Sequence, residues 1–347
     1  MKLIVQVPCL NEEETLPLVL EELPRQVPGF DLVEWLVIDD GSTDRTAEVA
    51  RANGVDHLVR LTNNKGLAAA FQAGLDAALK LGADVVVNTD ADNQYSAADI
   101  PRLVEPILAG RADMVVGDRQ VRTVEHFSPA KRLLQRLGSW VVGRASGTTV
   151  PDTTSGFRAY NREAALGLLV VSNYTYTLES LVQAGKMLVA VEHVPTESKP
   201  VARRSRLFGS TSSYVRRSAV GLFRTYVLYE PLRVFMVLAA IFAVAALGAW
   251  SPFLVDWILN GDRSGHIQSL ILGAVLFLAA VQMFALGIIG EALAGQRVIS
   301  QRIFERVRRL ELESGVAPSH YEPGAAPVGS GRFRVETLDQ PAEPVGR

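Results

Sequence analysis

The chain has 347 residues, 48% of them hydrophobic, with a formal net charge of −2 and one cysteine. That length exceeds what one ordinary core needs and leaves room for a catalytic domain plus a second part; the lone Cys9 excludes an intrachain disulfide and fits a reducing compartment. The small net charge hides an uneven distribution, acid-rich over the first hundred residues and arginine-rich over 203–233 and 297–309, so no nucleic-acid partner is expected, while a positive mean hydropathy leans toward a membrane component.

Met1-Lys2 leads straight into "LIVQVP", which predicts a strand at 2–8 with no signal peptide before it. Further apolar runs predict strands at 33–38, 56–60, 84–89 and 113–117, with helices over 12–23, 43–53, 65–81 and 99–109 between them. Ser42-Thr43-Asp44 is the expected N-cap cluster of the second helix, and Asn63-Asn64-Lys65-Gly66 the turn before the third. A helix is predicted over 131–147, and 157–194 adds a strand, two helices and a last strand. This alternation predicts an α/β domain with a mainly parallel sheet and right-handed crossovers.

In an open parallel sheet, ligands bind beyond the carboxyl ends of the strands. Three polar motifs fall at such ends: "VPCLNEEE" after the first strand, "VIDDGSTDRT" after the second and "NTDADNQY" after the fourth. No G-x-G-x-x-G follows the first strand and no G-x-x-x-x-G-K-[ST] occurs, so the phosphates of a bound nucleotide need a different counter-charge. Asp90, Asp92 and Gln94 offer hard oxygen ligands suited to Mg²⁺ or Mn²⁺, an ion able to clamp a diphosphate and stabilise the charge that develops as it leaves.

Farther along, 22 residues without a charge separate Arg233 from Asp256, and 24 more separate His266 from Glu291. Each run is long enough to cross a hydrocarbon core of about 30 Å. Arginines crowd the outer flanks, so both flanks are expected in the cytoplasm and the loop between the spans outside. Trp250 and Trp257 are expected in an outer aromatic belt, and Tyr226 and Tyr229 in an inner one. Val215, Ala219, Leu222, Phe223, Tyr226 and Val227 recur at helical spacing, as do Ile299, Ile303, Val307 and Leu310. Both stripes suit helices lying on a bilayer, or packing against the soluble domain or a neighbouring subunit of a homo-oligomer. From Ser314 onward the Pro-, Gly- and Ala-rich tail reads as disordered.

Taken as a set, "VPCLNEEE", "VIDDGSTD", "DADNQ" and "DTTSGFRAYNREA" resemble glycosyltransferase family 2 with its GT-A fold. More narrowly, residues 2–310 resemble the polyprenyl-phosphate glycosyltransferases. The resemblance implies a GT-A domain over 1–200, a juxtamembrane amphipathic region over 201–231, two transmembrane helices within 232–292, a cytoplasmic amphipathic helix over 293–313 and a disordered tail over 314–347. It implies an inverting, metal-dependent transfer from a nucleoside-diphosphate sugar, UDP- or GDP-linked, to polyprenyl phosphate at the inner membrane of the cell envelope. Pro8, Leu10 and Glu12 then match the segment around base and ribose, and Asp40 the acid that hydrogen-bonds the base, while Asp39 fixes the turn. Gly66, Asp90 and Ala91 complete the nucleotide set, and Asp90, Asp92 and Gln94 match the metal and diphosphate ligands. Asp152 matches the acid usually assigned as catalytic base; it either removes a proton or orients the acceptor. Leu10 stands where the family often has tyrosine, and Asn93 where leucine is more usual.

A lipid phosphate calls for arginine, whose planar fork matches phosphate oxygens. The candidates are Arg119, Arg132 and the group Arg203, Arg204 and Arg206, the last also suited to anionic lipid. A processive polysaccharide synthase is the rival among enzymes, but its expected Q-x-x-R-W is absent and two spans are few for a channel. A catalytically silent membrane scaffold is the rival outside them, and the intact Asp90, Asp92 and Gln94 argue against it.

Overall fold

The computed structural model describes residues 1–119, 143, 150–170, 176–197, 199, 224, 226–260 and 266–324. The helix predicted over 131–147 and the stripe beginning at Val215 fall largely or wholly outside these residues.

An eight-stranded sheet organises the first part, with spatial order β7-β5-β6-β4-β1-β2-β3-β8. Its strands are β1 (Lys2–Cys9), β2 (Leu32–Asp39), β3 (His57–Arg60), β4 (Val85–Asn88), β5 (Met114–Asp118), β6 (Arg158–Asn161), β7 (Val191–Pro195) and β8 (Tyr321–Pro323). Helices α1 (Leu16–Glu22), α2 (Thr46–Ala52), α3 (Leu67–Lys80) and α4 (Ile100–Leu108) link the first five strands, and α5 (Arg162–Gly167) and α6 (Tyr176–Lys186) lie between β6 and β7. Central strand β1 is buried on both faces, as a parallel strand covered by helices must be. Leu3, Val5 and Val7 join one apolar layer with Leu16, Leu20 and Leu103; Ile4 joins the other with Phe71, Leu75 and Leu181.

The sheet is more mixed than the alternation predicts. β1, β2, β3 and β4 run parallel, but β6 is antiparallel to both β4 and β5. That reversal brings the start of β6 to the same sheet edge as the ends of β1, β2, β4 and β5. The expected disordered tail opens differently too: Tyr321–Pro323 form β8, antiparallel to β3. Three residues with a Pro carry little strand signal, and only the free edge of β3 calls them into the sheet.

Two long helices follow, α7 (Pro231–Asn260) and α8 (Ile267–Glu313), of 30 and 47 residues. Both are long and apolar enough to cross a membrane. The cytoplasmic helix expected over 293–313 is no separate element, because α8 runs unbroken for about 70 Å at 1.5 Å per residue. The Trp250 indole N–H joins the two helices by donating to the Leu270 carbonyl at 3.2 Å. The Tyr229 hydroxyl lies 3.4 Å from Glu179 Oε1 in α6.

Candidate functional site

The β1 and β2 loops are stitched together residue by residue. Asn11, at φ 55°, accepts from the Thr43 N–H at 2.8 Å, and its own N–H donates to Ser42 Oγ at 2.9 Å. Glu12 N–H donates to Thr46 Oγ1 at 2.9 Å. Ser42 and Thr43 therefore hold the neighbouring loop rather than cap α2, which starts after Arg45 without a side-chain cap. Asp44 Oδ1 still accepts from the Thr46 N–H at 3.0 Å. Pro8 is buried and Leu10 half-buried at the mouth of this pair of loops.

Asp39 accepts from the Ser42 N–H at 2.8 Å, which closes the turn. Asp40 reaches the other way, its two oxygens accepting from the N–H groups of Lys65 and Gly66, both at 2.8 Å. Burial raises the Asp40 pKa, against the pull of those two N–H donors. Gly41, at φ 69°, allows this crossing; a Cβ there would lie 2.4 Å from the Asn63 backbone.

Asp90 and Asp92 follow β4, beside the buried Ala91. Gln94 holds Asp92 with its backbone N–H at 3.1 Å and its side-chain amide at 2.5 Å. Burial, then the charge of Asp92, drives the Asp90 pKa up to about 7, while Arg119 and Arg158 oppose the rise. Asp92 moves in the same direction through burial, with the charge of Glu12 adding to it. Gly156 is the floor beneath Asp90, since a Cβ there would sit 2.7 Å from Asp90 Oδ2 and 2.8 Å from the Tyr176 hydroxyl.

Opposite this acidic pair, Arg119 grips Asp152 with its fork, Nε to Oδ2 at 2.7 Å and Nη2 to Oδ1 at 3.1 Å, and reaches Thr154 Oγ1 at 2.9 Å. Burial works against an ionised Asp152, but Arg119 and the Thr154 donors prevail and hold its pKa below the usual carboxylate value. The Arg119 guanidinium lies 5.9 Å from the Tyr95 ring centroid. Arg132, Arg203, Arg204 and Arg206 lie outside the described residues.

Several supporting residues lie inside the quoted motifs without a role that the motifs assign. Arg158 is fully buried and spreads its fork under the Asp152 loop, with Nε on the Ser155 carbonyl at 2.7 Å and Nη2 on the Thr153 carbonyl at 2.9 Å. Its Nη1 donates to Ser180 Oγ at 2.7 Å. Tyr95 accepts from the Gly156 N–H at 2.9 Å, and Asn88 donates to the Gly156 carbonyl at 2.8 Å. The available signal was Arg158 itself, a charge set within the otherwise buried strand "RAYN". Cys9 is a buried packing residue whose Sγ lies 3.4 Å from the Val7 carbonyl.

The donor set fits a divalent cation shared with a diphosphate. Among the described residues no cluster of three or more His, Cys, Asp or Glu side chains stands ready to hold a metal. A cation between Asp90 and Asp92 would bind their ionised forms and offset the burial and neighbouring acid charge that raise both pKa values, with the substrate's phosphate oxygens completing the shell.

Comparison with known proteins places the chain in a family. The model for glycosyl transferase family 2 matches residues 4–168, and a model described as the GtrB C-terminal hairpin matches 230–295. An uncharacterised protein of Methanocaldococcus jannaschii, MJ1222, is 30% identical over 57% of this chain and 81% of its own length. The bactoprenol glucosyl transferase of Shigella phage SfX is 29% identical over 84% of this chain and 93% of its own. Among solved structures, glucosyl-3-phosphoglycerate synthase from Mycobacterium tuberculosis, in complex with Mn²⁺, uridine diphosphate and its product, matches with TM-score 0.50. That match is 24% identical and covers 64% of this chain and 79% of the other. The chain belongs to glycosyl transferase family 2 and has a GT-A-like fold followed by two apolar helices.

Proposed function

We propose that this enzyme moves a sugar from a nucleoside-diphosphate sugar to polyprenyl phosphate, with inversion at the anomeric carbon, on the cytoplasmic face of a membrane crossed by α7 and α8. The observation that carries the reading is the meeting of two pairs at one sheet edge. Asp90 and Asp92 stand ready for a cation and a diphosphate, and the Arg119–Asp152 pair faces them, in a chain that continues into two apolar helices. The phage relative named for bactoprenol glucosyl transfer spans both parts of the chain, which supports the acceptor class.

In this reading Pro8, Leu10, Glu12, Asp40, Gly66 and Ala91 enclose the nucleotide, and Asp90, Asp92 and Gln94 form the metal and diphosphate end. Mg²⁺ or Mn²⁺ held there supplies positive charge against the leaving diphosphate. A phosphate monoester loses its second proton near pH 6, so the lipid nucleophile is already anionic at neutral pH. Asp152, ionised and gripped by Arg119, therefore acts by orienting that guanidinium toward the acceptor phosphate rather than by taking a proton. Arg132, Arg203, Arg204 and Arg206 are further candidate cations for the acceptor. Direct attack of the phosphate on C1, opposite the leaving group, gives inversion.

The decisive experiment incubates the protein in membranes with undecaprenyl phosphate and a panel of nucleotide sugars, and weighs the lipid product. One added sugar per lipid is expected, with turnover lost in Asp92→Ala and in excess chelator. A ladder of added sugars would point to a processive synthase, and nucleotide-sugar binding without any product to a silent scaffold. Full activity in chelator would defeat the metal assignment.

A further inference from the structure

The cytoplasmic end of α8 is bound to the catalytic domain through a buried cation. Arg308 is 3% exposed, although it lies on the same helix as the second apolar span. Its Nη1 donates to the carbonyls of Ala165, Leu166 and Leu168 at 3.0, 3.2 and 3.4 Å. Those are the carbonyls at the end of α5, left without intrahelical donors because Leu168 turns extended at φ −75° and ψ 124°. A cation from another element thus meets the negative end of that helix. On its other side, Arg308 Nε lies 3.5 Å from Asp76 Oδ1 in α3. Flanking pairs repeat the contact: Lys80 with Glu311 at 3.1 Å, and Arg309 with Glu163.

The two elements so gripped lead to opposite sides of the site. The N-terminal end of α3 presents the Lys65 and Gly66 N–H groups to Asp40. Helix α5 directly follows β6, where Arg158 holds the loop bearing Asp152. A long, stiff helix that enters the membrane is therefore fastened to both the donor and the acceptor halves of the domain.

We propose that Arg308 is a positioning residue for acceptor use, fastening α8 to α3 and α5 and so fixing how the Arg119–Asp152 side of the site meets a phosphate held at the bilayer surface. This inference rests on the polyprenyl-phosphate reading above. A soluble acceptor comes to the site by diffusion and does not need that alignment, whereas a bilayer-borne one does.

The test uses the full chain in proteoliposomes, as wild type, Arg308→Met and Arg308→Lys. Each is assayed with undecaprenyl phosphate in the bilayer and with a short-chain, water-soluble prenyl phosphate, beside calorimetric titration with nucleoside diphosphate. Arg308→Met is expected to raise KM for the bilayer acceptor about tenfold or more, as small misplacements of reacting groups do. Soluble-acceptor turnover and nucleotide affinity should hold, and Arg308→Lys should recover part of the loss. Equal losses with both acceptors, or no loss with either, would overturn the inference. Should Arg308→Met fail to fold, Glu163→Gln combined with Glu311→Gln loosens the same contact from its exposed flank. The same split between acceptors would then support the inference, and a uniform or null effect would end it. Wild type inactive on both acceptors would bring down the acceptor assignment itself, and this inference with it.

Discussion

Asp90 and Asp92 stand two residues apart and repel each other unless a proton or a cation joins them. An aspartate in an unfolded chain titrates near 3.9, and in the fold Asp90 is driven up to about 7. Between those values the folded chain keeps a proton that the unfolded chain has released. Without divalent ions this pair therefore costs stability as pH rises through that window, and the cost levels off above it. Melting curves near pH 5 and near pH 8 should show the gap between wild type and Asp90→Asn shifting in favour of Asn at the higher pH. Mn²⁺ should then raise the wild-type Tm more at the higher pH. The opposite order would mean that the pair is not electrostatically frustrated. Asp152 has the reverse sign: its lowered pKa adds stability that is present above about pH 4 and lost as pH falls. Gly156 is a steric counterpart. Gly156→Ala would press a methyl against Asp90 and the Tyr176 hydroxyl, so turnover should fall sharply while nucleoside binding at Asp40 persists. Single-turnover kinetics beside nucleoside titration would expose a parallel loss, which would contradict this.

At the scale of elements, the α7–α8 hairpin is held by small residues under large ones. Gly273, Ala280 and Gly287 recur at seven-residue spacing on the buried side of α8. A Cβ at Gly273 would lie 2.1 Å from the Trp250 ring, and one at Gly287 would lie 3.2 Å from Phe235. Close approach of helices in lipid depends on such positions. Gly273→Leu should lower the melting temperature in detergent by overpacking, at a cost of about 1–3 kcal/mol. Adding Trp250→Ala should restore part of it by vacating the space. A double variant no better than the single one would show that the indole is not the obstacle. The same packing gives the Trp250 indole N–H a carbonyl partner at Leu270 on the neighbouring helix.

For the molecule as a whole, the order of parts sets the topology. A reporter placed at Asn260 is expected to read as external and one at Arg347 as cytoplasmic, because arginines flank the two spans on their outer sides. Both reporters on one side would refute the two-span arrangement. The chain after α8 then returns to the far edge of the sheet, where β8 covers β3 and the Tyr321 hydroxyl lies 3.0 Å from His57 Nδ1. Removing residues 316–347 should uncover that edge and promote aggregation of the purified protein. Light scattering across a concentration series would detect it, and an unchanged monodisperse profile would count against a protective role for β8.

By itself, the sequence determined the family, the three acidic strand-end motifs and the two apolar spans. Each depends on local order: periodicity, strand-end polarity and runs without charge are properties of neighbouring residues. It also located the β1 to β5 strands to within a residue or two, because buried parallel strands are apolar throughout. What lay beyond it depends on partners far away in the chain. The four residues of β6, "RAYN", carry no local sign of strand direction until β4 and β5 claim them, and β8 exists only because β3 has a free edge. Asp152 and Arg119 stood out separately as base and phosphate ligand, yet only the fold joins them in one bidentate pair across 33 residues. Arg158 and Arg308 read in sequence as ordinary charges, and tertiary structure buries both against carbonyls that no local pattern announces. A charge without water needs a particular partner, and only three-dimensional packing supplies it.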